Sequence, residues 1–530
     1  MIERNIAPGL GRTFASEAWD RIPKEIWADE RKKAREQIDY SKELKIYGID
    51  IDKKAIEAAK ENALEAGVLD DIKFKVGDGS KVVAGDKEEI EHVKHVELEG
   101  WVKTNRDNGS IGFVEFNDGT YFKNVQLVYT KDSKDHDVLS ALKTGSAIGI
   151  KGELKLTPEN KQPFEILVDE CVLEGDVADD YPLQKKRHSF EFLRDIAHIR
   201  PRANTFQAVF RVRSVLSFAI HEFFQERGFI YVHTPDITTN DGEGAGNVFD
   251  VTTHDTKDPF SFYGHKVNLT VTGQLHVEPF ALAFHDVYTF GPVFRAEHSN
   301  TVRHASEFWM VEPEIAFADL SDNMELIEDC VKYCINYVMT ACPDEMAFFN
   351  TMIDKTLIER LTHVVNSEFK KMKYTEGIEI LKKAVENGHK FENNNIEWGM
   401  DLQSEHERYI TEQVVKGPVF VIDYPEELKA FYMRRNDDGK TVAACDLLVP
   451  YVGELVGGSQ REERLEILQE KMEKAGNAKE LDWYLDTRRY GGCPHAGFGI
   501  GFDRLLMYVT GISNIRDCQP FPRTSDPIKY

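Results

Sequence analysis

The segment Tyr288-Thr-Phe-Gly-Pro-Val-Phe-Arg-Ala-Glu-His-Ser-Asn-Thr-Val-Arg-His-Ala-Ser-Glu-Phe-Trp-Met-Val-Glu-Pro-Glu314 constrains this chain more than any other. It reads as strand, polar loop, strand. Arg295, Arg303, two histidines and several carboxylates gather at the loop and its flanks. Guanidinium forks suit phosphate and carboxylate oxygens, which they grip bidentately. Phe308, on the returning strand, offers a ring for stacking on a planar base. Far downstream, Gly497-Phe-Gly-Ile-Gly-Phe-Asp-Arg-Leu-Leu-Met507 alternates glycine along a strand. Missing side chains let a ligand approach such a strand closely, and Arg504 opens a helix beside it. Alone, this glycine pattern also fits a tight turn.

A chain of 530 residues exceeds one compact core, so more than one domain is expected. Residues 1–88 predict a βαβ piece, with strands at 44–50 and 72–76 around a helix at 53–66 that Gly67 ends. Gly85 to Glu91 reads as a charged linker. Residues 92–175 predict five short strands (95–103, 111–116, 121–129, 147–156 and 164–173) with turns at Asn108-Gly109 and Asp118-Gly119, which suggests an OB-fold barrel. Residues 176–190 are a basic linker carrying Lys185, Lys186 and Arg187; solvated surface and nucleic-acid backbone contact are both open to it. Residues 191–530 form a long α+β domain. It opens with a helix at 205–227, a strand at 229–232 and Thr234-Pro235, and it includes a helical insertion at 345–400 with charged stretches such as Phe369 to Tyr374.

The net charge of −25 does not favour nucleic acid as a partner, although a basic patch on an acidic protein still binds phosphate. No run of 18 apolar residues predicts a membrane span, and Met1 to Asp20 lacks the pattern of a signal peptide. Seven scattered cysteines without a CxxC pair point to neither zinc nor a disulfide framework, and fit a reducing cytoplasm. Cys330, Cys334 and Cys342 read as thiols, buried or exposed, along one helix.

The two chemistry-bearing segments closely resemble motifs 2 and 3 of the class II aminoacyl-tRNA synthetases, and the helix, strand and Pro235 before them resemble motif 1, the dimer-building element of that family. With the barrel in front, residues 92–530 resemble the aspartyl/asparaginyl/lysyl subgroup. Three stretches lean to its asparaginyl branch: Thr272-Gly-Gln-Leu-His-Val-Glu278, Glu307 to Glu314, and Gly453-Glu-Leu-Val-Gly-Gly-Ser-Gln-Arg461. Aspartyl enzymes resemble the first but carry lysine where Val277 stands, facing a substrate carboxylate that valine cannot neutralise.

The resemblance implies ATP-dependent ligation of L-asparagine to tRNA(Asn) through an adenylate, with ATP and Mg²⁺, in a cytoplasmic homodimer joined through motif 1. It implies that Arg295 binds the α-phosphate and neutralises charge during attack. Arg303 and His304 would take the outer phosphates, Arg504 the γ-phosphate, Phe308 the adenine, and Gly501 the nucleotide at close approach. Glu297, also near ATP, and Arg461 would read the asparagine amide and α-carboxylate, and Glu243 and Gln274 would hold the amino group. Glu454 and Asp446 would hold Mg²⁺, although ordinary fold hydrogen bonding remains open for Asp446. Phe113, Phe116 and Gln126 resemble anticodon-reading positions; a barrel-core role remains open for either Phe.

Asn5 to Trp19, Ile46-Tyr-Gly-Ile-Asp-Ile-Asp52, Asn62, Ala66-Gly67 and Gly77-Asp78 resemble the middle of a Rossmann-like RNA guanine-N2 methyltransferase. Asp50 and Asp78 would there contact S-adenosylmethionine. Neither the preceding glycine-rich loop nor the Asn-Pro-Pro-Tyr-type motif is present, so a non-catalytic remnant is expected. The rival readings are an aspartyl-tRNA synthetase, a retained methyltransferase, a synthetase-like asparagine synthetase (a relative without the barrel) and a non-catalytic regulatory paralogue.

Overall fold

The computed structural model describes residues 95–530 except 161, 243–246, 255–256, 259, 261 and 300; before them it describes the strands Ile46–Asp50 and Ile72–Val76 and the helical positions 32–33, 56, 59–60 and 63. Two compact units make up the chain, residues 1–98 with 150–170, and residues 99–149 with 171–530.

In the first unit, Ile46–Asp50 and Ile72–Val76 pair in parallel, Ile46 opposite Ile72. A parallel pair needs a long crossover. Between the two strands, the helical positions Ile56 and Ala63 are both buried. The parallel pair and the helical positions between its strands agree with the βαβ reading; the rest of the helix, its end at Gly67, and the Asn5–Trp19 and Asp78 motifs lie outside the described residues.

Five strands, His95–Asp107, Ile111–Asn117, Val125–Thr130, Ala147–Leu156 and Phe164–Gly175, close into a barrel in the order first, second, third, fifth, fourth. The tight turn after the first strand is set by Asn108, whose Oδ1 accepts the N–H groups of Ser110 and Ile111 at 3.1 and 3.0 Å, with Gly109 at φ 86°. Val102, Val114, Phe116 and Leu127 are buried inside.

The third strand starts at Val125, four residues later than the sequence suggests. Tyr121 and its neighbours leave the barrel to grip the helices of the same unit. The Tyr121 hydroxyl donates to Asp344, Lys123 Nζ lies 2.6 Å from Asp344 Oδ1, and the Phe122 ring meets Phe348 edge-on at 5.4 Å. Arg211 donates to the carbonyls of Gly119 and Thr120, the latter at 3.1 Å. Side chains spent on this latch are lost to strand alternation.

The second unit is built on an eight-stranded sheet in the order Lys370–Lys373, Val419–Pro425, Thr441–Val449, Gly453–Gln460, His495–Gly501, Glu307–Ala316, Asp286–Phe294, Ile230–Tyr231. Every neighbouring pair is antiparallel except the two at the edges, as a mainly antiparallel α+β domain requires. The helices Asn204–Glu226, Leu320–Ala341 and Phe502–Thr510 share its main core. The first buries Phe206, Val209, Val212, Leu216, Ile220 and Phe223, a stripe at three- and four-residue spacing. The second starts at a capping box in which Asp319 accepts the N–H groups of Ser321 and Asp322, and it buries Cys330 and Cys334.

The insertion is mainly helical, with one correction: the charged stretch Phe369 to Tyr374 contains the edge strand Lys370–Lys373, in which only Met372 is buried. One apolar residue in four gives no period to read, and exposed lysines are what protects a sheet edge.

Candidate active site

The strands Asp286–Phe294 and Glu307–Ala316 pair directly, with Val293 opposite Phe308, so the polar loop between them projects from one end of the sheet. Beside them His495–Gly501 sets Gly497 opposite Glu314 and Gly501 opposite Met310. Period-2 alternation sends Phe308, Met310 and Glu312 to one face, where all three line a cavity of about 380 Å³ together with Gly499 and Gly501. Gln274, Arg295, Glu297, Arg303, His304, Asp446, Glu454, Arg461 and Arg504 line the same cavity. Residues from four separate stretches of the sequence thus meet in one place. Gly497 departs from expectation. A Cβ there would overlap the Glu314 carboxylate, so its missing side chain makes room for a neighbour and not for a ligand.

The cationic end of the cavity holds three arginines. Arg295 directs Nε and Nη2 toward the Val271 carbonyl at 3.4 Å each, with its Cζ 5.3 Å from the Phe308 ring centre. Arg504 Nη1 donates to the Glu454 carbonyl at 3.1 Å and lies 3.4 Å from its Oε2. Arg303 donates to the Val452 carbonyl at 2.6 Å and to Ser404 Oγ, and lies 3.7 Å from Glu407. Burial opposes charge on Glu454, but Arg504, Lys429, Arg303 and Arg295 together hold its carboxyl below the usual range. Burial and then Arg504 push the His304 imidazole down, toward its neutral form.

Asp446 lines the cavity but is already paired with Lys429, at 2.6 Å. Burial pushes its carboxyl up while Lys429 opposes. A Cβ on Gly457 would lie 3.4 Å from Glu454 Oε1 and 3.7 Å from Asp446 Oδ1. The two carboxylates therefore converge on a space that the glycine leaves open. Among the described residues no group of three or more His, Cys, Asp or Glu side chains is arranged to hold a metal ion. A divalent cation beside these two hard oxygen donors would complete its shell from phosphate and water.

The other end of the cavity is held by buried carboxylates that sequence reasoning did not single out. Arg461, 3% exposed, donates from Nε and Nη2 to Glu314, the first at 3.2 Å, and from Nη1 to Ser459 Oγ at 2.8 Å. Burial drives the Glu314 carboxyl toward its neutral form and Arg461 pulls it back. The bidentate geometry decides for the ionised pair. Glu312 accepts the Gly273 N–H at 2.9 Å and the Thr272 hydroxyl. Gln274 donates its Nε2 to Glu278 at 2.9 Å, which turns its carbonyl oxygen toward an incoming donor. Glu278 is fully buried and also receives Tyr484, Arg488 and His495. Glu312 and Glu314 were within reach of the sequence, since they continue the face of Phe308 at even spacing.

Val277 does not line this cavity. It packs, fully buried, among Val232, Ala281 and Val287. The absence of a cation at position 277 stands, but the expectation that its side chain faces substrate directly does not. Glu243 lies outside the described residues.

The barrel candidates lie apart from the cavity lining and divide among themselves. Strand register sets Arg106 opposite Phe113, and Glu115 opposite Gln126, so Phe113, Glu115 and Gln126 share one face with the exposed Arg106. Phe116, an odd number of residues from Phe113, points inward and is fully buried. Its core reading holds, and a buried ring has no free face for a base.

The family model of tRNA synthetases class II (D, K and N) matches residues 190–525, that of an OB-fold nucleic acid binding domain matches 96–174, and that of an RMKL-like methyltransferase domain matches 1–93. The chain is 57% identical over 446 residues to an asparagine–tRNA ligase of Desulfitobacterium hafniense, covering 81% of this chain and 95% of that one. It is 57% identical over 449 residues to the asparagine–tRNA ligase of Clostridium acetobutylicum, covering 82% and 96%. The asparaginyl-tRNA synthetase of Pyrococcus horikoshii complexed with asparaginyl-adenylate superposes with a TM-score of 0.74 at 31% identity, covering 84% of this chain and 99% of that one.

Proposed function

Because the chain belongs to the class II tRNA synthetases (D, K and N), among the asparagine–tRNA ligases, we propose that the cavity between Arg295 and Arg504 is where it activates asparagine. The reaction is ATP-dependent ligation of L-asparagine to tRNA(Asn) through asparaginyl-adenylate, with release of pyrophosphate and then AMP.

In this reading the asparagine carboxylate attacks the α-phosphorus in line, and the bond to the leaving pyrophosphate breaks. The acyl group then passes to the terminal ribose of the tRNA and AMP leaves. No protein nucleophile is needed, so catalysis is positioning and charge neutralisation. Arg295 takes the α-phosphate, Arg303 and His304 the outer phosphates, Arg504 the γ-phosphate, and Phe308 stacks on adenine beside the close approach at Gly501. Gln274, with its carbonyl turned outward by Glu278, and Glu243 hold the α-ammonium. Glu297 and Arg461 read the amide and α-carboxylate. Glu454 with Asp446 would hold Mg²⁺, which neutralises phosphate charge when bound; the gap over Gly457 supports this. The carrying observation is that Arg295, Arg504 and Glu454 line a single cavity.

Residues 92–175 act as the anticodon-binding domain, 176–190 as its basic linker and 191–530 as the catalytic domain. Phe113 and Gln126 contact anticodon bases, supported by the shared face that also carries Arg106. A homodimer through the motif 1 helix and strand would cover Phe218, Ile230, Tyr231, Phe280 and Phe284, all exposed in the single chain. A cytoplasmic location is supported by seven cysteines, all of them free. Among the described residues no helix is long and apolar enough to cross a membrane. Residues 1–88 are a non-catalytic methyltransferase-like remnant, supported by the lack of an Asn-Pro-Pro-Tyr motif anywhere in the chain.

Pyrophosphate exchange with asparagine and with aspartate, run on the parent chain and on Arg295→Gln and Arg504→Gln, tests the assignment. Asparagine-dependent exchange that drops by at least 100-fold in both variants is expected, the size found when one charge-stabilising donor is removed. Exchange unchanged in either variant, or driven by aspartate alone, would overturn it.

A further inference from the structure

One buried carboxylate behind the outer-phosphate side of the cavity has no part in the roles above. Glu407, on the short helix Ser404–Arg408, is 8% exposed. Its Oε2 accepts the backbone N–H of Glu454 at 3.1 Å and lies 3.7 Å from Arg303 Nη1. Ser404, one helical turn earlier, binds the other terminal nitrogen of Arg303. Five residues further on, Glu412 accepts the N–H of Tyr451 at 3.0 Å.

These contacts converge on the hairpin turn 450–452 and on Gly453, between the strands Thr441–Val449 and Gly453–Gln460. That connection is conformationally costly. Tyr451 has φ 78° and Gly453 φ 84°, and a Cβ on Gly453 would run into the Glu407 carboxylate. A non-glycine residue in the left-handed region persists only where its surroundings hold it there. Two carboxylates from the 404–412 segment provide that hold. A carboxylate removed from water is itself costly unless paired, and the partners Glu407 has found are both groups of the nucleotide site.

We infer that Glu407 is a positioning residue that aims Arg303 and the start of the Glu454-bearing strand at the outer phosphates of ATP, so that nucleotide affinity depends on it and asparagine affinity does not. This rests on the assignment of Arg303 and Glu454 to the triphosphate. In the absence of Glu407, Arg303 would keep only Ser404 and the Val452 carbonyl, and the Glu454 N–H would lose its acceptor.

The test uses the full chain with Glu407→Ala, Glu407→Gln and Arg303→Gln. Thermal melting checks the fold. Equilibrium binding of ATP with magnesium, equilibrium binding of asparagine, and the two KM values in pyrophosphate exchange are then compared. Glu407→Ala is expected to weaken ATP about tenfold, as loss of a hydrogen bond to a charged group does, and to leave asparagine within twofold. Glu407→Gln should fall between, because its amide oxygen still accepts the Glu454 N–H but does not attract Arg303. ATP binding unchanged in both variants, or ATP and asparagine weakened equally, overturns the inference. Where the alanine variant does not fold, the near-isosteric glutamine variant decides alone by the same comparison. ATP binding unchanged in Arg303→Gln would instead sink the assignment of Arg303. ATP weakened there but not in the Glu407 variants sinks only the role of Glu407.

Discussion

Replacing Glu314 by glutamine tests how the amino-acid end of the cavity is held. The side chain keeps its size and one accepting oxygen but loses its charge. Arg461 is 3% exposed and Glu314 is fully buried, so the guanidinium has no water to fall back on. Removing one partner of a buried ion pair costs about 3–5 kcal/mol. Glu278 also acts on Arg461, and Ser459 keeps its bond to Nη1, so the lower figure, about 3 kcal/mol, applies. Against a typical stability of about 5–15 kcal/mol, that is a clear shift of the urea midpoint. Arg461 then turns toward Glu278 and away from substrate. If asparagine binding carries the same 3 kcal/mol, its KM rises about 100-fold, since each 1.4 kcal/mol is a factor of ten. The KM for ATP should stay within twofold. Urea denaturation and pyrophosphate exchange at varied asparagine measure both effects. The reasoning fails if Glu314→Gln unfolds within about 0.5 kcal/mol of the parent and binds asparagine as well. Burial would then have won, leaving Glu314 neutral in the parent, and glutamine would be a faithful stand-in for it.

Arg211→Ala removes two donors from the latch on Gly119 and Thr120; the KM for tRNA in aminoacylation should rise several-fold while asparagine-dependent exchange holds within twofold. Phe113→Ala should weaken tRNA by about 1–3 kcal/mol, one lost stack, with little change in melting temperature. Phe116→Ala should do the reverse, lowering stability by about 3–5 kcal/mol; denaturation and tRNA binding on both variants separate the two roles. Lys103, which donates to the Arg202 carbonyl at 3.0 Å, is pushed down to about 8 by burial and then by Arg202. Between about 8 and the ordinary lysine value the unfolded chain holds a proton that the folded chain has released, so this group makes stability rise with pH across that window. Lys103→Met should flatten the rise, as urea titrations at either end of the window would register.

Much of the fold was legible because its signals are local. The strand–loop–strand around Arg295 shows itself by apolar runs flanking a polar stretch, and the helix Asn204–Glu226 by its apolar stripe. Arg295 was legible as an arginine just past an apolar strand, and Arg504 as one that opens a helix after alternate glycines. The buried partners were not. Nothing near Glu314 announces Arg461, 147 residues away, and nothing near Glu278 announces Arg488, 210 residues away; such pairs exist only once the chain has folded. Val277 misled for a related reason, since its chemistry was read correctly but its direction belongs to the packing of Val232 and Val287. Phe116 was decidable in advance. Residues three apart on a strand face opposite ways, so Phe113 and Phe116 were never both able to meet a base.

At Gly497 the sheet stores information as a vacancy. The hydrogen that stands for a side chain leaves a berth, and the carboxylate moored in it steers an arginine just past the end of the neighbouring strand. With Arg461 in its proposed role, amino-acid choice depends on a residue that lines no part of the cavity and has nothing to trim. A single methyl there would evict Glu314 and loosen Arg461 with every liganding group still in the chain. Surveys that look only at side chains facing the cavity would pass over the position that sets their aim.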